Sequence, residues 1–204
     1  NWAIDNDIYI ISDEIYDELV YDTKHTPIAS INEEIKERTI TINGMSKAFA
    51  MTGWRIGYAI ADKDIIKKMT SAQSHITSNA ASISQYASFI ALRDKNENKG
   101  QLEPMYKAFK DRRDKIIDIL DENKISYIKP EGAFYVMIDV SEFFNDKIDS
   151  SAKFADELLT NKNVALTPGE AFGADGYIRI SYANSMENIV EGLEKIIEYI
   201  NELE

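Results

Sequence analysis

The apolar positions in the first half of the chain alternate between a strand-like and a helix-like spacing. Short runs rich in isoleucine, threonine and aromatic residues predict three strands, at 8–12, 39–43 and 54–61. Asp13 directly follows the first strand, and the second strand stops at Gly44, shortly before Lys47. Helical spacing then predicts a helix that Asp62 caps and another helix over 81–93. Because α/β sheets bind ligands at the carboxyl ends of parallel strands, the first two strands, if parallel, place Asp13 and Lys47 at one crevice.

A charged stretch that ends in glycine, residues 94–100, is predicted to be the main break in the chain. Beyond it, apolar residues from Leu102 to Leu120 recur at helical spacing and predict a long helix. The remaining predicted elements are a hairpin over 126–140, a helix over 151–161, strands at 164–167 and 177–182, and a final helix capped by Asn184 or Ser185. The order of elements predicts an α/β domain over 1–98 and a smaller α+β domain over 99–204.

Composition and charge exclude several classes of function. The 204 residues include 23 Lys+Arg and 35 Asp+Glu, and the net charge of −12 argues against a nucleic-acid or anionic-membrane partner. With no cysteine and two histidines, the chain lacks the side chains for disulfides, thiolate metal sites or a multi-histidine metal site, so we expect no metal. The uncharged stretch 69–92 is too rich in Ser, Thr, Asn and Gln to span a membrane.

The beginning of the chain bears on its completeness and its location. It opens at Asn1, without an initiator methionine or a signal peptide, and reaches its first strand within a few residues. We therefore expect a piece cut from a longer protein, with a reducing, cytoplasmic location.

Lys47 is the first candidate for chemistry. It is followed by Ala48, Phe49, Ala50 and Met51, and a lysine held among apolar neighbours loses solvation, which favours the neutral amine needed for Schiff-base chemistry. The alternative is a surface lysine whose stem passes over apolar neighbours.

Three further charged residues have candidate roles in binding. Asp13, at a strand end, is suited to hold a protonated ring nitrogen, with Tyr16 reaching the same ligand, although the local pattern by itself favours Asp13 as the cap of the next helix. Arg55 follows a glycine-containing turn and is suited to grip a phosphate with two hydrogen bonds, or to form an ordinary ion pair. Arg179 lies mid-strand with isoleucine on both sides, which predicts a cleft-facing arginine with an anionic partner, an exposed residue or an internal ion pair.

These residues belong to motifs that occur in a fixed order: Asp-x-x-Tyr at 13–16, Asn-Gly-Met-Ser-Lys-Ala-Phe-Ala-Met-Thr-Gly-Trp-Arg-Ile-Gly-Tyr at 43–58, and Arg-Ile-Ser-Tyr-Ala at 179–183. The set resembles the class I aminotransferases, which are fold-type-I pyridoxal-phosphate enzymes, and in particular their bacterial aspartate and aromatic branch. The resemblance runs through essentially the whole chain. It implies an α/β fold made of the C-terminal part of the large, mainly parallel-sheet, cofactor-binding domain over 1–98 and the small C-terminal α+β domain over 99–204.

The resemblance also implies a role for each residue. Lys47 matches the lysine that carries pyridoxal 5'-phosphate covalently and later moves the proton between substrate and cofactor. Asp13 matches the carboxylate that keeps the pyridine nitrogen protonated. Tyr16 matches the phenol on the 3′ oxygen, and Arg55 the arginine on the phosphate. Arg179 matches the arginine that holds the α-carboxylate of the substrate.

Other positions depart from the family pattern. Gly44 stands where some relatives have a phosphate-binding serine, and Ser46 is expected to compensate as a cofactor-binding residue. Residues 74–79 resemble the segment that reaches across the family's homodimer, so a homodimer is expected. His75 stands near the position where dicarboxylate-specific relatives have an arginine, which favours aspartate less and leaves aromatic substrates open.

The function expected from the resemblance is an aminotransferase that moves an amino group between an amino acid and a 2-oxo acid. Residues 1–204 alone are expected to be inactive. Two alternatives stay open: a β-lyase-like or cyclopropane-forming enzyme that uses the same residues, and a non-catalytic effector domain of a transcription regulator.

Overall fold

The computed structural model describes residues 1–93 and 95–203, and the chain divides into two units, Asn1–Pro104 and Met105–Glu204. The helices are α1 Trp2–Asp5, α2 Glu33–Glu37, α3 Lys63–Ile76, α4 Ser82–Arg93, α5 Lys95–Glu122, α6 Ser151–Lys162 and α7 Met186–Leu203. The strands are β1 Ile10–Asp13, β2 Thr39–Gly44, β3 Gly57–Ile60, β4 Tyr127–Ile128, β5 Tyr135–Asp139, β6 Thr167–Pro168 and β7 Tyr177–Ser181.

The first unit is built on a three-stranded sheet in the order β1-β2-β3. Strands β1 and β2 are parallel, with Asp13 opposite Ile42, so the orientation on which the shared crevice depends is confirmed. Strand β3 runs antiparallel to β2 and is shorter than predicted. It begins only at Gly57 because Thr52–Trp54 form a 3-10 turn and Arg55 has a left-handed backbone, with φ of 52°.

Two glycines bring the end of β2 against the start of β3. Gly44 and Gly57 are paired in the sheet. A Cβ atom on Gly57 would lie 2.9 Å from the carbonyl oxygen of Asn43, and one on Gly44 would lie 3.0 Å from the Cα of Gly57. A Cβ atom on Gly57 is therefore excluded unless the backbone moves, and one on Gly44 would be tighter than nearly all real Cβ contacts, so both positions favour glycine.

The core of the first unit lies among the loops and helices around the sheet. Its buried apolar side chains are Ala3, Leu19, Tyr21, Ile35, Met45 and Ala48. Helix α3 begins as the sequence predicts, because the Asp62 carboxylate accepts a hydrogen bond from the Asp64 N–H at 2.8 Å. The short helices α1 and α2 are not predicted by the hydrophobic spacing, which is too brief there to show a helical period.

The second unit contains a four-stranded antiparallel sheet in the order β4-β5-β7-β6. The hairpin of β4 and β5, the helix α6, the strand β7 and the helix α7 confirm the predicted elements. The predicted strand at 164–167 is reduced to the two residues of β6. The fully buried side chains that join the sheet to the helices of this unit are Leu120, Ile138, Phe154, Leu158, Ile178, Leu193 and Ile196.

The predicted break at 94–100 is wrong from Lys95 onward, because α5 begins there and continues to Glu122, while residue 94 itself lies outside the described residues. A glycine such as Gly100 lowers the stability of a helix by only about 1 kcal/mol relative to alanine, so a helix of 28 residues can include it. The boundary between the two structural units falls after Pro104. The assignment of 1–98 and 99–204 as two functional domains stays a prediction. Among the helices of the described residues, none combines the length and the apolar character needed to cross a membrane.

Gly169→Ala is expected to destabilise the second unit strongly. A Cβ atom at this position would lie 2.2 Å from the carbonyl oxygen of Ala174 and 2.4 Å from that of Tyr177, so backbone must move. We expect a loss of more than about 3 kcal/mol in the free energy of unfolding, measured by denaturant titration. Gly192→Ala, within α7 where an added Cβ meets no atom within 4 Å, is the matched control and should stabilise by about 0.5–1 kcal/mol. Equal stabilities for the two variants would contradict the packing described for Gly169.

Candidate functional site

The candidate site lies where β1 and β2 end and β3 begins, an edge that we call the lysine edge and define by Asp13, Gly44 and Gly57. Asp13 is the last residue of β1 and is exposed. Its Oδ1 accepts a hydrogen bond from the Ile15 N–H at 3.2 Å, which turns the chain away from the strand. The alternative role of Asp13 as a helix cap is not what the structure shows, because residues 15–18 form a turn and the next helical element begins only at Ile28.

Tyr16 and Lys47 come together at the lysine edge although 31 positions separate them in the sequence. Tyr16 lies in the turn that follows β1, and Lys47 lies in the turn that follows β2. The second turn is closed by hydrogen bonds of 3.2 Å from the Ala50 N–H to the Lys47 carbonyl and from the Met51 N–H to the Met45 carbonyl. The Lys47 Nζ lies 5.8 Å from the centre of the Tyr16 ring. Parallel strands therefore place an amine, a phenol and a carboxylate at one edge of the sheet.

Lys47 is half-buried rather than buried, which differs from the apolar environment expected from its sequence neighbours. The neighbours that turn inward are Met45 and Ala48, with 1% and 5% of their surface exposed. In a tight turn, consecutive side chains point in different directions, so apolar neighbours in the sequence do not enclose the lysine. The amine is thus accessible to a ligand at the lysine edge.

Arg55 and Ser46 flank the same edge. Arg55 precedes β3 by two residues and is exposed, with its Nη1 donating a hydrogen bond of 2.8 Å to the Thr52 carbonyl oxygen. Its left-handed backbone turns the chain into β3 opposite Gly44. Ser46 is half-buried and directly precedes Lys47. A guanidinium and a hydroxyl at this edge are suited to bind a phosphate group.

Glu14 forms a buried polar network that the sequence patterns did not reveal. Its Oε1 accepts hydrogen bonds from the Ser12 hydroxyl at 3.0 Å and the Ile28 N–H at 3.1 Å, and its Oε2 lies 3.1 Å from the Nε2 of His25. Burial by itself acts to raise the pKa of this carboxyl, but the hydrogen bonds from His25, Ile28 and Ser12 outweigh burial, and the pKa of Glu14 lies below its ordinary value. The ionised Glu14 carboxylate therefore holds His25 and Ile28 by hydrogen bonds, at the position next to Asp13 in the sequence.

Glu14→Gln is expected to change how stability depends on pH. Because the pKa of Glu14 is lower in the folded chain than in the unfolded one, its stabilising contribution is complete above the unfolded value of about 4.3 and is lost as the pH falls through the folded value. The variant should be less stable than the wild type at neutral pH, and the difference should shrink in acid. Urea titrations between about pH 3 and pH 7 measure this difference in the free energy of unfolding. Glu37→Gln, exposed on α2, is the control, and a constant gap between E14Q and the wild type would refute the argument.

Arg179 belongs to the second unit and lies on β7, opposite Met137 of β5. Its guanidinium carbon is 4.3 Å from the centre of the Tyr135 ring and 4.1 Å from that of the Phe172 ring. Among the side chains that the structure describes, no carboxylate lies at ion-pair distance from Arg179, so the alternative of an internal ion pair is not seen there. Aromatic faces hold the planar guanidinium while its hydrogen-bonding edge stays available to an anion.

Tyr135 and Phe172 are the residues around Arg179 that the sequence patterns missed. The sequence predicts Tyr135 only as part of the hairpin over 126–140, and Phe172 only as part of the connection between the strands at 164–167 and 177–182. The sheet register brings β5 beside β7, and Phe172 comes from the 3-10 turn that follows β6. No local pattern shows these distances, because the three residues come from separate segments of the chain. Among the described residues, no group of three His, Cys, Asp or Glu side chains is arranged to hold a metal ion.

Comparison with known proteins identifies the family. The model of the family "Aminotransferase class I and II" matches residues 3–196. This chain belongs to that family. An aspartate aminotransferase from Bacillus sp. (strain YM-2) is 46% identical over 201 residues, which are 97% of this chain and 50% of that protein. A (5-formylfuran-3-yl)methyl phosphate transaminase from Methanocaldococcus jannaschii is 44% identical, covering 98% of this chain and 52% of that protein.

Solved aminotransferase structures share the fold of this chain. The aromatic aminotransferase from Pyrococcus horikoshii OT3 matches 98% of the chain with a TM-score of 0.91 and 37% identity, and the match covers 53% of that structure. The aspartate aminotransferase from Thermus thermophilus, solved with maleate, matches 96% with a TM-score of 0.88 and 38% identity, covering 49% of that structure. The expected partial fold-type-I architecture is thereby confirmed. The chain spans about half the length of the relatives that it matches.

Proposed function

We propose that this protein is a pyridoxal-phosphate-dependent aminotransferase that moves an amino group between an amino acid and a 2-oxo acid. The observation that carries the proposal is the arrangement at the lysine edge. The Lys47 Nζ lies 5.8 Å from the Tyr16 ring centre, and both residues follow neighbouring parallel strands, the first of which ends at Asp13. Membership of the aminotransferase family supports the same reading.

The chemistry of these side chains fits pyridoxal 5'-phosphate group by group. The Lys47 amine suits its aldehyde, the Asp13 carboxylate its ring nitrogen and the Tyr16 phenol its ring oxygen. The Arg55 guanidinium and the Ser46 hydroxyl suit its phosphate. When bound, the cofactor supplies an electron sink for the electrons of a broken bond at the substrate α-carbon.

The side chains of this chain supply the remaining steps. Lys47 would hold the cofactor by its amine and, with that amine free, would accept the proton of the substrate α-carbon at Nζ and pass it to the cofactor. Asp13, at the end of β1, would keep a proton on the ring nitrogen by accepting a hydrogen bond from it. Tyr16 donates a hydrogen bond from its hydroxyl, and Arg55 anchors the phosphate so that the ring stays in register with the amine.

Arg179 is proposed to bind the α-carboxylate of the amino acid or 2-oxo acid. Its guanidinium carbon lies within 4.3 Å of the ring centres of both Tyr135 and Phe172, and these contacts restrict the movement of the side chain before a substrate arrives. A planar carboxylate accepts two parallel hydrogen bonds from such a group. A clamp of this kind fixes the orientation of the substrate about its α-carbon.

We propose a homodimer and a cytoplasmic location for the protein, without a nucleic-acid or membrane partner. Four large apolar side chains of α4 are exposed, and this apolar surface supports a protein partner: Ile83, Tyr86, Phe89 and Leu92. Sedimentation of the protein tests the dimer, and a monomer at every concentration excludes it.

Product analysis tests the reaction itself. The protein loaded with pyridoxal phosphate is incubated with a panel of amino acids, including aspartate and the aromatic ones, and with a 2-oxo acid acceptor. Formation of a new amino acid in equal amount with a new 2-oxo acid supports the proposal. Release of ammonia and a side-chain fragment without amino transfer indicates the lyase alternative, and cofactor binding without turnover indicates the effector alternative. Residues 1–204 alone are still predicted to be inactive. The assay is therefore run on residues 1–204 by themselves and on the natural protein that contains them.

A further inference from the structure

Asn43 is a buried amide at the end of β2 that has no role in the function proposed above. Its side chain is 7% exposed and both of its polar atoms are hydrogen-bonded. The Nδ2 donates to the Oδ2 of Asp17 at 3.0 Å, and the Oδ1 accepts from the Gly44 N–H at 2.7 Å. The two partners belong to different segments of the first unit.

Asp17 and Gly44 lie in or next to the two turns that carry Tyr16 and Lys47. Asp17 directly follows Tyr16, and Gly44 begins the segment that leads into the turn of Lys47. The same two segments are also joined by a backbone hydrogen bond nearer the strands. The Glu14 N–H donates it to the Ile42 carbonyl oxygen at 2.8 Å. The Asn43 side chain thus extends the pairing of β1 and β2 beyond the point where the ladder ends.

An amide is the side chain that this position requires. It needs a donor toward the Asp17 carboxylate and an acceptor toward the Gly44 N–H, and only asparagine offers both at this length. A carboxylate at position 43 keeps the acceptor but sets a second negative charge against Asp17 in a poorly solvated place. The resulting repulsion acts on the segment that carries Tyr16.

We propose that Asn43 is a positioning residue, which fixes the placement of the Tyr16 phenol against the Lys47 amine through its bond to Asp17. This inference rests on the proposed function of Tyr16 and Lys47. Asn43 touches neither the phenol nor the amine in the contacts described here. It acts by holding together the two turns that carry them.

A charge-swap series tests the proposal. Asn43→Asp places two carboxylates together, whereas Asn43→Asp with Asp17→Asn restores an amide–carboxylate pair with its direction reversed. Asp17→Asn alone completes the double-mutant cycle. Asn32→Ala is the control, because it removes another side-chain amide whose Oδ1 accepts from the Ile35 N–H at 2.8 Å, at the cap of α2.

Two measurements are made besides stability. The first is the rate at which an amine-reactive acylating reagent modifies Lys47 in the cofactor-free protein, as a function of pH and mapped by mass spectrometry. The second is the pH profile of the absorbance of bound pyridoxal phosphate, together with the rate of its dissociation. We expect N43D to speed dissociation about tenfold and to shift both pH profiles, because the loss of one charge-assisted hydrogen bond is of that size. The swap should return every value to within about twofold of the wild type.

The outcomes separate this inference from the function on which it rests. If wild-type protein binds no pyridoxal phosphate, the proposed function fails. The comparison of Lys47 acylation between wild type and N43D then still tests whether Asn43 affects the reactivity of the amine. If wild type binds the cofactor but N43D leaves both profiles unchanged, the inference is overturned. It is also overturned if N32A shifts them as much as N43D, or if the swap recovers stability without recovering the profiles.

Discussion

Lys47→Ala is expected to abolish amino-group transfer. The variant loses both the amine that holds the cofactor and the group that moves the proton, and proton transfer by a positioned side chain alone contributes up to about 10⁴-fold. We expect turnover to fall by at least about 10³-fold. The fall should persist at saturating cofactor, because it reflects lost chemistry and not only weaker binding.

Borohydride reduction provides the second readout for Lys47. In the wild type loaded with pyridoxal phosphate, reduction should fix the label on the peptide that contains Lys47, and K47A should carry none. Lys36→Ala is the matched control, since this exposed lysine pairs with Glu33 at 2.9 Å and precedes the opposite end of β2. Labelling of the wild type at any lysine other than Lys47 removes the basis of the proposed mechanism.

Arg179→Lys is expected to weaken substrate binding despite conserving the charge. A lysine cannot offer two parallel hydrogen bonds to a carboxylate and does not stack flat between the rings of Tyr135 and Phe172. The loss of one or two charge-assisted hydrogen bonds predicts a fall in kcat/KM of about 10²-fold to 10³-fold. Steady-state kinetics with a monocarboxylic amino acid measure this effect.

A matched arginine controls for general effects of the change. Arg112 is half-buried and lies over the ring of Phe109 at 5.7 Å, so Arg112→Lys alters a similar contact elsewhere in the second unit. This control should keep kcat/KM within about twofold. If both variants lose the same fraction of activity, stacking explains the result and the carboxylate role of Arg179 is excluded. The absorbance of bound cofactor should be unchanged in R179K.

The chemical identity of the lysine edge could be predicted because its residues lie in short, continuous motifs. Asp13 and Tyr16 belong to one turn, while Ser46, Lys47 and Arg55 belong to another segment that ends in β3. The sequence left open whether β1 and β2 are parallel, and the structure shows that they are. The roles assigned to these residues stay predictions, to be tested by the variants above.

The environment of each residue could not be predicted in the same way. Apolar neighbours in the sequence suggested a buried Lys47, yet the turn directs Met45 and Ala48 inward and leaves the amine accessible. The charged stretch before Gly100 suggested a break, yet helix α5 covers it from Lys95. Both differences arise because side-chain direction and helix length depend on backbone hydrogen bonding over a whole element.

By itself, the sequence determined most of the longer strands and helices, the Asp62 cap of α3, the Ser185 cap of α7 and the set of reactive side chains. Hydrophobic period and capping chemistry are local properties, so they can be read from neighbouring residues. The tertiary structure alone decided that Glu14 meets His25, that Asn43 meets Asp17 and that Arg179 is held by two aromatic rings. Such contacts join residues far apart in the chain, and they form only when the strands pair and the loops between them close.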